Sequence, residues 1–170
     1  MLARLTQAQQ TQVVEETARY IELANELYRA RWPLIDVRFD LTGHTIGMYK
    51  RHRQQRSIRY NSAVFAKYFD DNVSSTIPHE VAHYVVDMRF ASRLVRPHGP
   101  QWRAVMADFG AEASRTASYD LSTIPRRRYS TIAYACGCQR HELGIRRHNK
   151  MLRGLAQYAC RQCGDRLRIV

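Results

Sequence analysis

Ile77-Pro78-His79-Glu80-Val81-Ala82-His83-Tyr84-Val85-Val86 sets two histidines four residues apart within a run of apolar side chains. At helical pitch such residues stand one above the other, with Cβ atoms about 5–6 Å apart, so both imidazoles can reach one metal ion. Glu80 falls on a neighbouring face, placed to touch a water molecule on that ion without binding the ion itself. Ile77, Val81, Ala82, Val85 and Val86 make the helix a buried one. Two imidazoles and a carboxylate are costly there unless something compensates them, and a metal ion compensates all three. The competing reading, a surface helix with chance histidines, leaves the apolar flanks unexplained.

A hydrolytic zinc site needs a third protein ligand and an open position. His98, 15 residues after His83, stands in Arg96-Pro97-His98-Gly99-Pro100, a turn that brings the chain back. Asp87, Asp108 and Glu112 are rivals, because some zinc sites take a carboxylate. Asp87 shares the helix of the two histidines and meets the ion at a poor angle. Asp108 and Glu112 follow on the next helix, and spacing alone does not separate them from His98. With His79, His83 and His98 on zinc, the ion polarises a peptide carbonyl and brings the pKa of its water toward about 7. Glu80 is then the general base that takes the proton and hands it to the leaving amine. No residue stands out as an oxyanion donor.

Around this helix the pattern is mixed. Val13, Val14, Ala18, Ile21, Leu23, Ala24, Leu27 and Tyr28 recur at helical spacing and predict a helix over about 8–31, ended by Trp32-Pro33. Ile35–Leu41 alternates as a strand, Thr45–Tyr49 reads as a second, and Ser57–Asn61 as a third. That third strand is expected to be the edge on which an extended peptide pairs. A basic loop, Lys50-Arg51-His52-Arg53, precedes it. A short helix over about 62–69 is expected to stop at Asp70-Asp71-Asn72. The histidine helix should run over 74–90, with Ser74 or Ser75 as N-cap and Pro78 in or near its first turn. Another helix spans about 101–112, and 113–128 reads as a linker. The body, residues 8–125, is an α+β domain.

The chain carries 27 Lys and Arg against 15 Asp and Glu, a formal charge of +12 over 170 residues. Residues 1–120 hold 16 cations and 13 acids; residues 121–170 hold 11 cations with only Glu142 and Asp165. Three quarters of the excess is thus in the last 50 residues, which points to a polyanionic partner, nucleic acid first. No apolar run is long enough to span a bilayer and no secretory signal opens the chain, so a cytoplasmic protein without membrane partners is expected.

The same tail, residues 129–170, holds all four cysteines. Cys160-Arg-Gln-Cys163-Gly164 has the spacing of a zinc-knuckle turn, and Cys136-Gly-Cys138 is one residue shorter than usual. With 21 residues between Cys138 and Cys160, the arrangement reads as a zinc ribbon. Cys138-Gln-Arg-His141 also has ligand spacing, so His141 is an alternative to Cys136. Tyr134-Ala-Cys136 echoes Tyr158-Ala-Cys160 and favours the four cysteines. Disulfides fit poorly with an intracellular chain. Arg126, Arg127, Arg128, Arg140, Arg146, Arg147, Lys150 and Arg153, interleaved with Tyr129, Tyr134 and Tyr158, make a surface able to neutralise phosphates and stack bases. Lys50, Arg51 and Arg53 of the basic loop join them as candidate contacts.

The ordered set Pro78-His79-Glu80-Val81-Ala82-His83, Pro97-His98-Gly99 with Trp102, Tyr134-x-Cys136-x-Cys138, Arg147-His148-Asn149, Arg153-Gly154 and Tyr158-x-Cys160-x-x-Cys163-Gly164 resembles the SprT family of zinc metalloproteases. The resemblance runs from about residue 10 to the end. It implies a small zincin-type domain followed by a zinc ribbon, with two Zn2+ ions, one catalytic and one structural. It carries His79, His83 and His98 over as ligands and Glu80 as the base. Eukaryotic relatives called Spartan degrade proteins crosslinked to DNA, with DNA-dependent activity. The expectation is therefore a DNA-activated protease of low sequence specificity, gripping single-stranded or distorted DNA and cutting the proteins bound to it. The alternative from another class is a nucleic-acid-binding, regulatory zinc protein without protease activity; an intact Glu80 between two ligands favours the enzyme.

Overall fold

The computed structural model describes residues 3–90, 95–114, 118–126 and 129–170. The chain divides into two compact units, Met1–Arg126 and Arg127–Val170. The whole is α+β, with helices and two small sheets.

In the first unit, helix α1 (Gln7–Tyr28) is opened by a capping box in which Thr6 and Gln9 satisfy each other's backbone N–H groups. It buries Val13, Thr17, Ile21 and Ala24. Thr17 lies against Tyr60 with their hydroxyls 3.1 Å apart, tying the helix to the sheet behind it. That sheet consists of β1 (Asp36–Arg38), β2 (Gly47–His52) and β3 (Gln55–Tyr60) in the order β1-β3-β2, with β1 parallel and β2 antiparallel to β3. The expectation of β3 as a free edge is therefore corrected: β1 covers its other side, and the edge strand beside the histidine helix is β2. The basic stretch is not a loop either. Lys50, Arg51 and His52 pair with β3, and only Arg53 and Gln54 turn the hairpin, Arg53 at φ +56°.

Asn61 ends β3 and starts α2 (Ser62–Lys67). Its buried side chain accepts from the N–H groups of Ala63 and Val64 and donates to the carbonyls of Gly43 and Thr45. The next helix, α3 (Phe69–Arg89), begins five residues before the expected start, so Pro78 lies mid-helix rather than in its first turn. Asp70-Asp71-Asn72 starts this helix instead of stopping the previous one. Two carboxylates in a first turn suit the helix dipole, and Asn72 Nδ2 donates to the Tyr68 carbonyl at 2.7 Å. Pro78 removes one backbone donor, a loss that burial of Ile77, Val81, Ala82 and Val85 outweighs. Helix α4 (Pro100–Asp108) has Pro100 in its first turn. Trp102, Tyr60, Tyr84, Phe65 and Ile21 are the largest fully buried side chains of this unit.

Residues 118–126 belong to this unit and are more than a linker. Ile124 is buried, Tyr119 stacks on Tyr68 at 4.3 Å, and Lys67 Nζ donates to the Asp120 carbonyl at 2.6 Å.

The second unit holds β4 (Thr131–Ala135), β5 (Arg140–Gly144), α5 (Ile145–Leu152) and β6 (Arg168–Ile169), with sheet order β5-β4-β6 and all pairs antiparallel. Its buried core is Tyr134, Leu143, Cys160 and Leu167, too little apolar surface to hold so small a lobe without a further staple. Among the described residues no helix is long and apolar enough to cross a membrane.

Candidate metal centres

Helix α3 delivers His79 and His83 on one face, ring centroids 5.0 Å apart. His98 arrives from the turn before α4. There the Gly99 N–H closes on the Arg96 carbonyl at 3.0 Å, and a Cβ at position 99 would stand 2.8 Å from that same oxygen. His98 itself takes φ +55°, a left-handed conformation uncommon for a residue with a side chain and typical of functional sites. Its Nε2 lies 3.0 Å from His79 Nε2 and 3.1 Å from His83 Nε2.

Three ring nitrogens converging on one point test the fit of a cation. Each Nε2 offers either one proton or one lone pair, so His98 cannot serve both neighbours well by hydrogen bonding. An ion at the centre takes a lone pair from each. Nitrogens on a tetrahedral zinc, at about 2.0–2.1 Å from the metal, stand about 3.3 Å apart, close to the spacing seen. Burial first, and then the charge of His98, push His79 down to about 4; its hydrogen bond to the Ser114 backbone opposes them. Burial, His79 and His98 push His83 down to about 3. Both rings are neutral at physiological pH, with lone pairs to give. Trp102, 1% exposed, backs the trio: it stacks on His83, meets His98 edge-on at 4.8 Å and donates from Nε1 to the His79 carbonyl at 3.2 Å.

Glu80 is buried, and its Oε2 accepts from the backbone N–H of Tyr49 at 2.6 Å. Burial raises its pKa to about 7, against the pull of that hydrogen bond. Oε1 accepts no hydrogen bond among the described residues. It faces Gly47, where a Cβ would stand 2.7 Å from it. A cleft of about 610 Å3 opens here, lined by Glu80 and the three histidines, with Ile46, Met48 and Leu121 supplying apolar wall and Glu112 and Ser114 polar wall.

Two of the three rival ligands are engaged elsewhere. Asp87 accepts from Tyr49 Oη at 2.9 Å, Arg51 Nη1 at 2.7 Å and Arg56 Nε at 2.8 Å. Burial pushes its carboxyl up, but the hydrogen bonds from Arg56, Tyr49 and Arg51 together hold it below the usual range. Asp108 accepts from Tyr28 Oη. Glu112 lines the cleft without joining the cluster of three histidines. Gly47 and Tyr49 carry no sequence signal of their own; only their register opposite α3 reveals them.

In the second unit the sulfurs of Cys136, Cys138, Cys160 and Cys163 lie within 4.8 Å of one another and form no disulfide. Four thiols so close suit one thiophilic ion. Backbone hydrogen bonding at Cys163, the Gln139 amide and the Gln162 N–H draw Cys160 down to about 5. His141 Nε2 lies 3.4 Å from Cys136 Sγ, beside the group of four. Arg140, Arg146, Arg147, Lys150 and Arg153 are exposed in this unit, as Lys50, Arg53 and Arg126 are in the first. Arg51 is committed to Asp87. Arg127 and Arg128 lie outside the described residues.

Comparison with known proteins gives a consistent result. The SprT-like family profile matches residues 17–122. Protein SprT of Yersinia pestis is 34% identical over 168 residues, covering 98% of this chain and 95% of that protein. Protein SprT of Serratia proteamaculans (strain 568) is 32% identical over 167 residues, covering 98% and 94%. That of Vibrio parahaemolyticus is 35% identical over 144 residues, covering 84% and 83%. No solved structure matches the chain.

Proposed function

This chain belongs to the SprT-like family, and from that premise we propose that it is a zinc-dependent endopeptidase of zincin type that cuts proteins bound or crosslinked to DNA. Residues 8–125 form the protease and residues 129–170 a zinc ribbon that brings it to nucleic acid, in the cytoplasm. The observation that carries the reading is the convergence of three imidazole nitrogens beside a carboxylate with one oxygen held and the other open.

His79, His83 and His98 would hold the catalytic ion, and Cys136, Cys138, Cys160 and Cys163 the structural one. A zinc ion bound by the histidines supplies Lewis acidity toward the scissile carbonyl and toward a water molecule. The chain's own residues do the rest. The Tyr49 N–H fixes Oε2 of Glu80, so the carboxylate presents Oε1 to the cleft in one orientation. A carboxylate whose pKa is raised to about 7 by burial can take a proton from the attacking water at Oε1 and return it to the leaving amine. Trp102 keeps the far side of the histidines dry. The free edge of β2 borders the cleft and offers backbone groups to an extended peptide. The ribbon's exposed cations and the hairpin residues Lys50 and Arg53 attract phosphates without reading sequence.

The test incubates the full chain with DNA and a DNA-binding protein substrate, beside Glu80→Gln. Cleavage should require DNA and fall about 10²–10⁴-fold in the variant while metal content stays the same. Equal cleavage by both proteins, or none by either across single-stranded, duplex and junction DNA, refutes the protease reading.

A further inference from the structure

The four sulfurs of the second unit are not equally protected. Cys160, 3% exposed, accepts from Gln139 Nε2 at 3.4 Å and from the Gln162 N–H at 3.4 Å, with further backbone hydrogen bonding from Cys163. Cys136 is half-buried; His141 Nε2 lies 3.4 Å from its sulfur, and the Cys138 backbone adds a second hydrogen bond. A thiolate only accepts, so with an ion bound His141 turns an N–H toward Cys136. Cys163 is exposed but keeps a hydrogen bond from the Asp165 backbone. Cys138 is exposed too, and among the described residues its sulfur meets only other sulfurs, Cys136 at 3.4 Å, Cys160 at 3.7 Å and Cys163.

That difference has a chemical consequence. A sulfur that accepts an N–H has part of its charge tied up, and groups around metal ligands tune them in this way. Attack on an oxidant needs a thiolate with access and with lone pairs to give. Cys138 has both, and exposed Arg140, two residues on, keeps its surroundings electropositive. Cys136, the nearest sulfur at 3.4 Å and separated by Gly137 alone, is placed to resolve the product. The competing reading is a sealed, inert staple. It suits buried Cys160 and leaves the bare sulfur of Cys138 unexplained.

We propose that Cys138 is a modification site, the sulfur through which hydrogen peroxide opens the zinc ribbon. The Cys138 thiolate attacks one peroxide oxygen, the O–O bond breaks, and a sulfenic acid and hydroxide form. The Cys136 thiolate then attacks the Cys138 sulfur and expels a second hydroxide, leaving a Cys136–Cys138 disulfide. Two thiolates are oxidised and one peroxide is reduced. Cys160 and Cys163 alone do not complete a tetrahedral site, so the ion is released. The core of Tyr134, Leu143, Cys160 and Leu167 is too small to stand without it, and the lobe loosens until thiol and zinc restore it. The inference goes beyond the protease reading and rests only on the reading that the four cysteines share a zinc ion.

The test treats the full, zinc-loaded chain with hydrogen peroxide, follows zinc release with a metallochromic dye, and maps alkylated and oxidised cysteines by mass spectrometry. In wild type Cys138 should be oxidised first. The Cys136–Cys138 disulfide should then grow in step with zinc release and with loss of amide protection in the second unit. Cys138→His keeps a zinc-binding side chain without the sulfur, and release should slow about fivefold, the weight of the one hydrogen bond that separates Cys138 from Cys163. Cys163→His should release zinc within about twofold of wild type. Mapping on wild type needs no variant, so a Cys138→His chain that fails to load zinc leaves the order of oxidation decisive. Oxidation that begins at any other cysteine or spreads evenly over the four overturns the proposal. So does release slowed alike in both variants, or wild type that keeps its zinc once Cys138 is oxidised. A chain whose four cysteines alkylate freely without peroxide, while its zinc stays bound, holds no ion in the ribbon and removes that reading instead.

Discussion

Replacing Gly47 with alanine adds one methyl group where β2 crosses α3. Built on the present backbone, that carbon stands 2.7 Å from Glu80 Oε1, 2.8 Å from Glu80 Cγ and 2.8 Å from Thr76 Cγ2. Comfortable carbon contacts lie at about 3.5–4.0 Å, so each is short by roughly 0.7–1.2 Å. Helix α3 cannot retreat, because Ile77, Val81 and Ala82 behind it are fully buried. Two ways of relaxing remain. The strand can lift, at an overpacking cost of about 1–3 kcal/mol. Or Glu80 can swing aside and give up the charge-assisted bond from the Tyr49 N–H, at about 1.5–3 kcal/mol. The cheaper route sets the loss, so Gly47→Ala should lower stability by about 1–3 kcal/mol in urea unfolding. Either route moves the carboxylate by about 1 Å relative to the histidines, and a misplacement of that size costs on the order of 10²-fold in turnover. The histidines themselves are untouched, so metal content by atomic emission should equal that of wild type. Wild-type turnover in Gly47→Ala would refute the reasoning, whatever its stability. So would loss of turnover that tracks loss of metal.

Asp87→Asn should destabilise the first unit by about 2–4 kcal/mol at neutral pH, since Arg51 and Arg56 lose the negative charge they share and one of the two acceptor oxygens becomes an NH2 donor. Because the folded pKa of Asp87 is depressed, its contribution is present above the ordinary carboxylate pKa and lost as pH falls through the folded value. The gap between variant and wild type, followed by urea unfolding, should therefore hold at pH 6–8, about the neutral range, and close in acid below about 4. Cys160→Ser should lower the metal content of the chain and abolish amide protection in residues 131–169 while leaving residues 5–90 and 95–114 protected, as read by hydrogen exchange.

What could be read in advance depended on whether the signal was periodic. His79, Glu80 and His83 announce themselves because a helix converts a spacing of four into adjacency, and His98 because its turn is written in prolines and glycine. The α+β class followed from the same periodicities. Pro78 misled, since a proline is most often an initiator, and nothing local shows that buried neighbours will carry it mid-helix. Pairing partners were equally hidden. Whether Ser57–Tyr60 is central or marginal depends on where Asp36–Arg38 docks, a non-local choice of register. For residues 118–126, the stack of Tyr119 on Tyr68 and the burial of Ile124 are single long-range contacts without a period. Gly47 and Tyr49 are of the same kind.

Tyr49 touches α3 twice, by its backbone N–H at Glu80 and by its hydroxyl at Asp87. The two grips differ in how they tolerate mutation. The hydroxyl can be lost by one nucleotide change, with a penalty confined to stability. The N–H belongs to the main chain, so any residue except proline supplies it, and drift at position 49 cannot erase it. The burden of keeping the carboxylate aimed is thereby moved two residues upstream, to a position where any side chain at all is an intrusion. A random-substitution library should find turnover more tolerant at the residue whose N–H holds Glu80 than at the glycine that faces its other oxygen.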